Sequence, residues 1–236
     1  MEPVVDGCVK LDLGAVMVRE VNQFLHGDLT KVGVRRVQIV NPKGRHSLAV
    51  GLDADVQVDV LGHAGYYTAG MNKRASVAVH GNVGWSVAEN IMSGTVRVKG
   101  NASECAGASG HGGLVVIEGD ASARCGISMK GCDIVVAGNV GHASAFMAQA
   151  GRLVVCGNAG AGLGDSLYEA VIYVRGKIAG LGADAQQEPM TEHDIEDLQV
   201  LLKRAGIETV AADSHWKRVA SARTLYHWNA DAHHSY

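Results

Sequence analysis

The sequence has little of what usually marks a catalytic or binding site. Aromatic residues make up 5% of its 236 residues, and none of its three prolines lies between Lys43 and Glu188. Its five cysteines are an odd number and show no C-x-x-C spacing, which argues against a disulfide framework or an iron–sulfur cluster held by this chain alone. We expect these cysteines to be small buried hydrophobic residues.

The charge and hydropathy patterns exclude further classes of protein. A formal net charge of −3 provides no basic field for nucleic acid or for an acidic membrane surface. No apolar run reaches the roughly eighteen residues that a bilayer-spanning helix needs, and the first ten residues lack a leader pattern. We therefore expect a cytoplasmic protein with neither nucleic acid nor a membrane as its partner.

Glycine, by contrast, is abundant and periodic. Of its 31 glycines, seven lie nineteen residues apart without any insertion or deletion. We call them the glycine ladder: Gly62, Gly81, Gly100, Gly119, Gly138, Gly157 and Gly176. A fixed period of this size is typical of a solenoid, in which each repeat is one coil that buries its apolar side against its neighbours.

Each repeat also predicts one short β-strand. Valine, isoleucine or leucine stands two and four residues before every ladder glycine, as Val58 and Val60 stand before Gly62. Alternation of this kind places both side chains on one face of a strand. The ladder glycines would occupy a tight corner that requires positive φ or a close backbone approach. We predict an all-β solenoid, a parallel β-helix of about seven coils over residues 56–186.

The flanking segments differ from the repeats. Residues 1–55 contain a weakly helical stretch over 14–25 and a strand-like stretch around Ile39, and we expect this segment to cap the first coil. Residues 187–236 begin with a capping-box pattern at Thr191 and Asp194, followed by leucines on one helical face. A short helix and a tail are predicted there.

The tail is the richest part of the chain in aromatic residues. Aromatic and arginine side chains are the usual anchors of protein interfaces. The candidate partner interface consists of Trp216, Arg218, Arg223, Tyr226 and Trp228. An alternative, equally compatible with the sequence, is that the tail folds back onto the side of the solenoid.

Motifs that resemble cofactor-binding or catalytic motifs are better explained by the repeat. Residues 153–164 look like a strand followed by a dinucleotide-binding glycine loop, but they match the ladder register and leave no room for the helix that such a site needs. Histidines and carboxylates fall at scattered offsets, and no G-x-S-x-G motif is present. We predict no catalytic, cofactor-binding or metal-binding residues.

The repeat resembles the GXGXG domain, the C-terminal right-handed β-helix of the glutamate synthase large subunit, over about residues 56–182. Four segments and the tail motif are similar to the free-standing GXGXG subunit of N-methylglutamate synthase and its relatives. The segments are 70–72, 89–94, 124–131 and 163–170, and the tail motif is 221–226.

This resemblance implies a noncatalytic scaffold subunit, right-handed in its winding. Its partners would be a glutaminase-type amidotransferase chain and a synthase chain that carries FMN and an iron–sulfur cluster. The complex would convert glutamate and methylamine to N-methylglutamate and ammonia. The alternatives are a scaffold like the GXGXG-type component of formylmethanofuran dehydrogenase, or a stand-alone enzyme with a groove along the helix.

Overall fold

The predicted solenoid is present. The computed structural model describes residues 7–29, 33–207, 212 and 215–223. Nine strands form one continuous parallel sheet: β1 Cys8–Asp12, β2 Arg36–Val40, β3 Gln57–Leu61, β4 Ser76–Val79, β5 Thr95–Val98, β6 Leu114–Ile117, β7 Lys130–Val136, β8 Ala150–Val155 and β9 Val171–Val174. The last seven strands belong to the seven nineteen-residue coils, which confirms the fold class.

The sequence period becomes the pairing register of the sheet. Val58 pairs with Val77, and Val77 pairs with Val96, so that equivalent residues of successive coils lie side by side. A second line of parallel bridges joins the coils two residues after each ladder glycine, from Ala64 to Ile178. The side chains that point inward between these two lines form a continuous core along the whole stack.

The segment before residue 56 adds two strands to the ladder. The β1 strand pairs with β2 at an offset of 28 residues and β2 with β3 at an offset of 21, because Cys8 lies opposite Arg36 and Arg36 opposite Gln57. Helix α1 (Val18–Gln23) and a π-helical turn (Phe24–Asp28) lie between them. Val21, Phe24 and Leu25 of this segment are buried against the core.

The ladder glycines allow successive backbones to touch. Each ladder N–H from Gly100 to Gly176 donates to the carbonyl of the preceding ladder glycine, at 2.9–3.2 Å. A Cβ on Gly119 would lie 2.1 Å from Asn101 Oδ1 and 2.9 Å from the Gly100 carbonyl oxygen. Among the seven ladder glycines, only Gly62 has a positive φ, of 140°. Close approach, rather than left-handed backbone, is therefore the reason for glycine in the rest of the ladder.

Asparagine extends the ladder by side-chain bonds between coils. The Oδ1 atom of each ladder asparagine or aspartate accepts from the backbone N–H of the equivalent residue one coil later, at 2.7–2.9 Å. The acceptors are Asn82, Asn101, Asp120, Asn139 and Asn158. Asparagine and aspartate are common turn residues, and here their side-chain oxygens also bind coil to coil.

Left-handed backbone is concentrated on another side of each coil. Ser86, Ala88 and Asn90 have φ values of 60°, 56° and 55°, and the same three offsets are left-handed in the later coils to Ser166. We call the outer surface of segments 66–73, 85–92, 104–111, 123–130, 142–149 and 161–168 the αL face. Most of its left-handed residues are not glycine, and the sequence analysis did not predict them.

The far end of the sheet is closed by the tail. Strand β10 (Ala185–Glu188) is followed by helix α2 (Glu192–Arg204), and strand β11 (Lys217–Ser221) then pairs antiparallel with β9 on one side and β10 on the other. The capping box is confirmed, because Thr191 Oγ1 accepts from the Asp194 N–H at 3.1 Å. In the described residues, no helix is long and apolar enough to cross a membrane.

The close backbone approach at the ladder predicts that alanine destabilises the protein at one glycine and is tolerated at another. We expect Gly119→Ala to lower the free energy of unfolding by about 1–3 kcal/mol, because the new Cβ overlaps the neighbouring coil. Urea unfolding followed by circular dichroism would measure the loss.

Gly180→Ala is the matched control. A Cβ there would meet nothing closer than 3.9 Å, and its φ is not left-handed, so stability should stay within about 0.5 kcal/mol of wild type. Equal effects of the two substitutions would contradict the account of the ladder.

Candidate functional site

Helix α2 covers the outer face of one half of the sheet. Outward side chains of four successive strands form an apolar row, and the leucines of α2 pack on it to make a second buried cluster. This cluster includes Val116, Val135, Val154, Tyr173, Leu198, Leu201, Leu202 and Trp216. The face formed by β6–β9 is therefore used within the chain.

Ion pairs hold the helix at its edges. Asp133 is 8% exposed and accepts two hydrogen bonds from Arg152, at 2.9 and 3.1 Å, and one from Arg204 of α2 at 3.2 Å. Arg152 also reaches Asp197 of α2 at 3.1 Å. The Asp133 pair raises the pKa of the Arg152 guanidinium. Such partly buried pairs fix the position of a helix more than they add to stability.

Asp194 connects the helix, the sheet and the tail strand. Its carboxylate accepts from Tyr173 Oη at 2.7 Å and from Arg218 Nε at 3.0 Å, in addition to Thr191. Burial alone would raise the pKa of Asp194, but the hydrogen bonds from Thr191 and Tyr173 outweigh it and lower the pKa below its ordinary value.

The structure uses part of the predicted tail interface internally. Trp216 is only 3% exposed, and Arg218 is paired with Glu188 and Asp194. These two side chains are therefore not exposed anchors, which corrects the interface prediction for them, because β11 folds back onto the solenoid. Arg223 pairs with Asp184 while keeping 61% of its side chain exposed. Tyr226 and Trp228 lie outside the described residues.

Exposed apolar side chains are concentrated on the αL face. The His46 ring stacks on Tyr66 with centroids 3.8 Å apart, and Tyr66 lies 6.0 Å from Trp85 in the next coil. Among the residues that the structure describes, ten large hydrophobic side chains are exposed, and six of them lie on this face, namely Tyr66, Met71, Trp85, Met92, Met147 and Tyr168. These exposed side chains were not predicted from the sequence, although Tyr66 and Trp85 occupy the same coil offset.

Contacts make the aromatic part of this face continuous. Tyr67 Oη donates to Glu89 Oε1 at 3.2 Å, and the backbone N–H of Met71 donates to the Glu89 carbonyl at 2.8 Å. Glu89 therefore connects the first coil to the second between the aromatic pair and Met71. Exposed aromatic and methionine side chains are enriched in the cores of protein interfaces.

The candidate chemical groups do not converge in the described structure. Glu118 binds Arg97 and Lys99, at 2.6 and 2.8 Å, and Glu104 lies 3.9 Å from Arg124. Burial raises the pKa of the Cys125 thiol to about 12. Among the described residues, no group of three or more histidine, cysteine, aspartate or glutamate side chains could hold a metal ion.

The glycine-rich stretch 153–164 is an ordinary coil. Its first residues belong to β8, Gly157 is a ladder glycine, and Leu163 is buried in the core. The nineteen-residue register of the glycines predicts this assignment.

Comparison with known proteins identifies the family to which this chain belongs. No family model matches the chain, and no solved structure matches it. Protein GlxC of Rhizobium meliloti (strain 1021) is 50% identical over 221 residues, which cover 94% of this chain and 96% of the relative. At the family level, this similarity fits a GXGXG-type, glutamate-synthase-related protein. The chain belongs to the same family as Protein GlxC.

The environment of Asp194 predicts how stability depends on pH. A carboxyl group whose pKa is lowered by folding stabilises the protein above its unfolded pKa, near 4, and this contribution is lost as the pH falls through the folded pKa. We expect Asp194→Asn to reduce the free energy of unfolding at pH 7 by about 2 kcal/mol. The gap between variant and wild type should shrink below about pH 4 in urea titrations.

Asp120→Asn provides the control for the same chemical change. Asn occupies the other four acceptor positions of this ladder, so the variant keeps an Oδ1 acceptor for the Asn139 N–H. Its stability at pH 7 should equal that of wild type. A gap for Asp194→Asn that stays constant down to about pH 2 would refute the assignment.

Proposed function

We propose that the chain is a noncatalytic assembly subunit of a glutamate-synthase-like complex. The αL face carries the proposal, since it presents a row of exposed aromatic and methionine side chains on a stack of hydrogen-bonded coils. Exposed apolar rows of this kind mark sites of protein association. Membership of the GlxC family supports the link to glutamate-synthase-related proteins.

The proposed complex is N-methylglutamate synthase, in which glutamate and methylamine give N-methylglutamate and ammonia. A glutaminase-type amidotransferase chain and a synthase chain with FMN and an iron–sulfur cluster would carry the chemistry. The role of this chain would be to hold them at a fixed distance on a rigid support. The segments similar to the free-standing GXGXG subunit, among them 124–131 and 163–170, support this choice.

The experiment is affinity purification of the tagged full chain from its native host. Mass spectrometry of the co-purifying proteins and an absorbance spectrum for flavin are the readouts. We expect an amidotransferase-like chain, a synthase-like chain and flavin absorbance. A colourless protein recovered alone would overturn the proposal. Recovery of a tungsten or molybdenum enzyme instead would favour the formylmethanofuran dehydrogenase type.

A pair of surface variants tests whether the αL face makes the contact. Trp85 and Val200 are exposed to the same extent, 57% and 56%, but Val200 lies on the outer side of α2. We expect Trp85→Ser to weaken partner capture at least about tenfold, because aromatic anchors carry most of the energy of an interface.

Val200→Ser is the matched control and should leave capture unchanged. Both variants should melt like wild type, since neither side chain belongs to a buried cluster. Undiminished capture by Trp85→Ser would exclude this part of the face as the contact surface.

A further inference from the structure

Basic residues lie where the glycine and asparagine ladders end. In the described part of the chain, Gly176 is the last ladder glycine, and the start of β11 takes the place of a next parallel strand. The ε-ammonium group of Lys217 lies 2.7 Å from the Gly176 carbonyl oxygen and 3.4 Å from that of Arg175. In the five coils before this one, the ladder glycine carbonyl accepts from the N–H of the next ladder glycine. At Gly176, the Lys217 ammonium takes the place of that N–H. The asparagine ladder likewise ends at Lys177, whose N–H is bound by Asn158.

Two more basic residues flank Gly176 in the sequence. Arg175 and Lys177 are exposed. Among the residues that the structure describes, neither of their charged ends takes part in a hydrogen bond or an ion pair. By contrast, Arg152, Arg204 and Arg218 around α2 are all paired with carboxylates.

A cavity opens at this corner. It has a volume of about 490 Å³ and is lined, among the described residues, by Cys156, Arg175, Gly176 and His215. Burial raises the pKa of the Cys156 thiol to about 11, so the thiol is protonated and adds no negative charge at neutral pH. The volume lies in the range of small-molecule sites.

We propose that this corner cavity binds a small anion through a phosphate-type oxyanion group. Arg175, which lines the cavity, would provide the guanidinium fork. Lys217 binds the carbonyl of Gly176, another lining residue, and its ammonium group has one N–H beyond the two that its carbonyl partners take. Arginine and lysine together favour a doubly charged oxyanion over a single carboxylate. The site lies outside the αL face and does not depend on the proposed assembly function.

The experiment uses the purified full chain and isothermal titration calorimetry. The probes are inorganic phosphate, pyrophosphate and acetate at low ionic strength. We expect saturable binding of phosphate and pyrophosphate, at least about tenfold weaker binding of acetate, and at least about a tenfold loss for Arg175→Gln. Arg45→Gln is the matched control, because Arg45 is an exposed arginine near the other end of the solenoid, and it should bind like wild type.

A second readout is independent of calorimetry. Bound phosphate should slow alkylation of Cys156, located by peptide mass spectrometry, while the partly exposed Cys105 on the αL face reacts at an unchanged rate. No saturable binding to wild type, or equal binding by Arg175→Gln and Arg45→Gln, would overturn the proposal. Acetate binding as tight as phosphate would show a carboxylate site instead and would also overturn it.

Discussion

The contact between successive ladder glycines is the constraint on which this solenoid depends. Backbone N–H groups reach the preceding carbonyl at 2.9–3.2 Å, and a Cβ at Gly119 would overlap the coil before it. This contact sets one residue of each coil directly over its equivalent, and the strands, bridges and asparagine side chains then follow in the same register. Extra residues are accommodated away from this contact, as at the start of β7 and β8, where the offset is 20 residues at Lys130 and 19 from Asp133 onward.

The sequence predicted the stack because the constraint is periodic. Strands β3 to β9, their register and the α2 capping box all follow from local patterns. Strands β1 and β2 were harder to recognise as part of the ladder, since their offsets are 28 and 21 residues. Left-handed backbone at Ala88 is imposed by the stack, because the Ala88 N–H donates back to the Thr68 carbonyl, and alanine itself gives no local indication of it.

The candidate site was harder to predict for a different reason. Whether an aromatic side chain is buried depends on what lies over it. Trp216 is covered by a cluster built from α2 and distant strands, whereas Trp85 keeps more than half of its surface exposed. The two faces therefore differ, because helix α2 covers the sheet side whereas the αL face keeps exposed apolar groups. If the chain assembles a complex as we propose, this asymmetry orients it.

The closing strand has a consequence for synthesis on the ribosome. Each coil can dock on the one before it as soon as it emerges, since coils of a solenoid contact only their neighbours. Strand β9 must wait for β11, which follows it by about forty residues. At roughly 5–20 residues per second, the unpaired edge of β9 stays open for a few seconds. During that interval the nascent chain offers a template to any other extended strand, so a chaperone that shields this edge would raise the yield of folded protein.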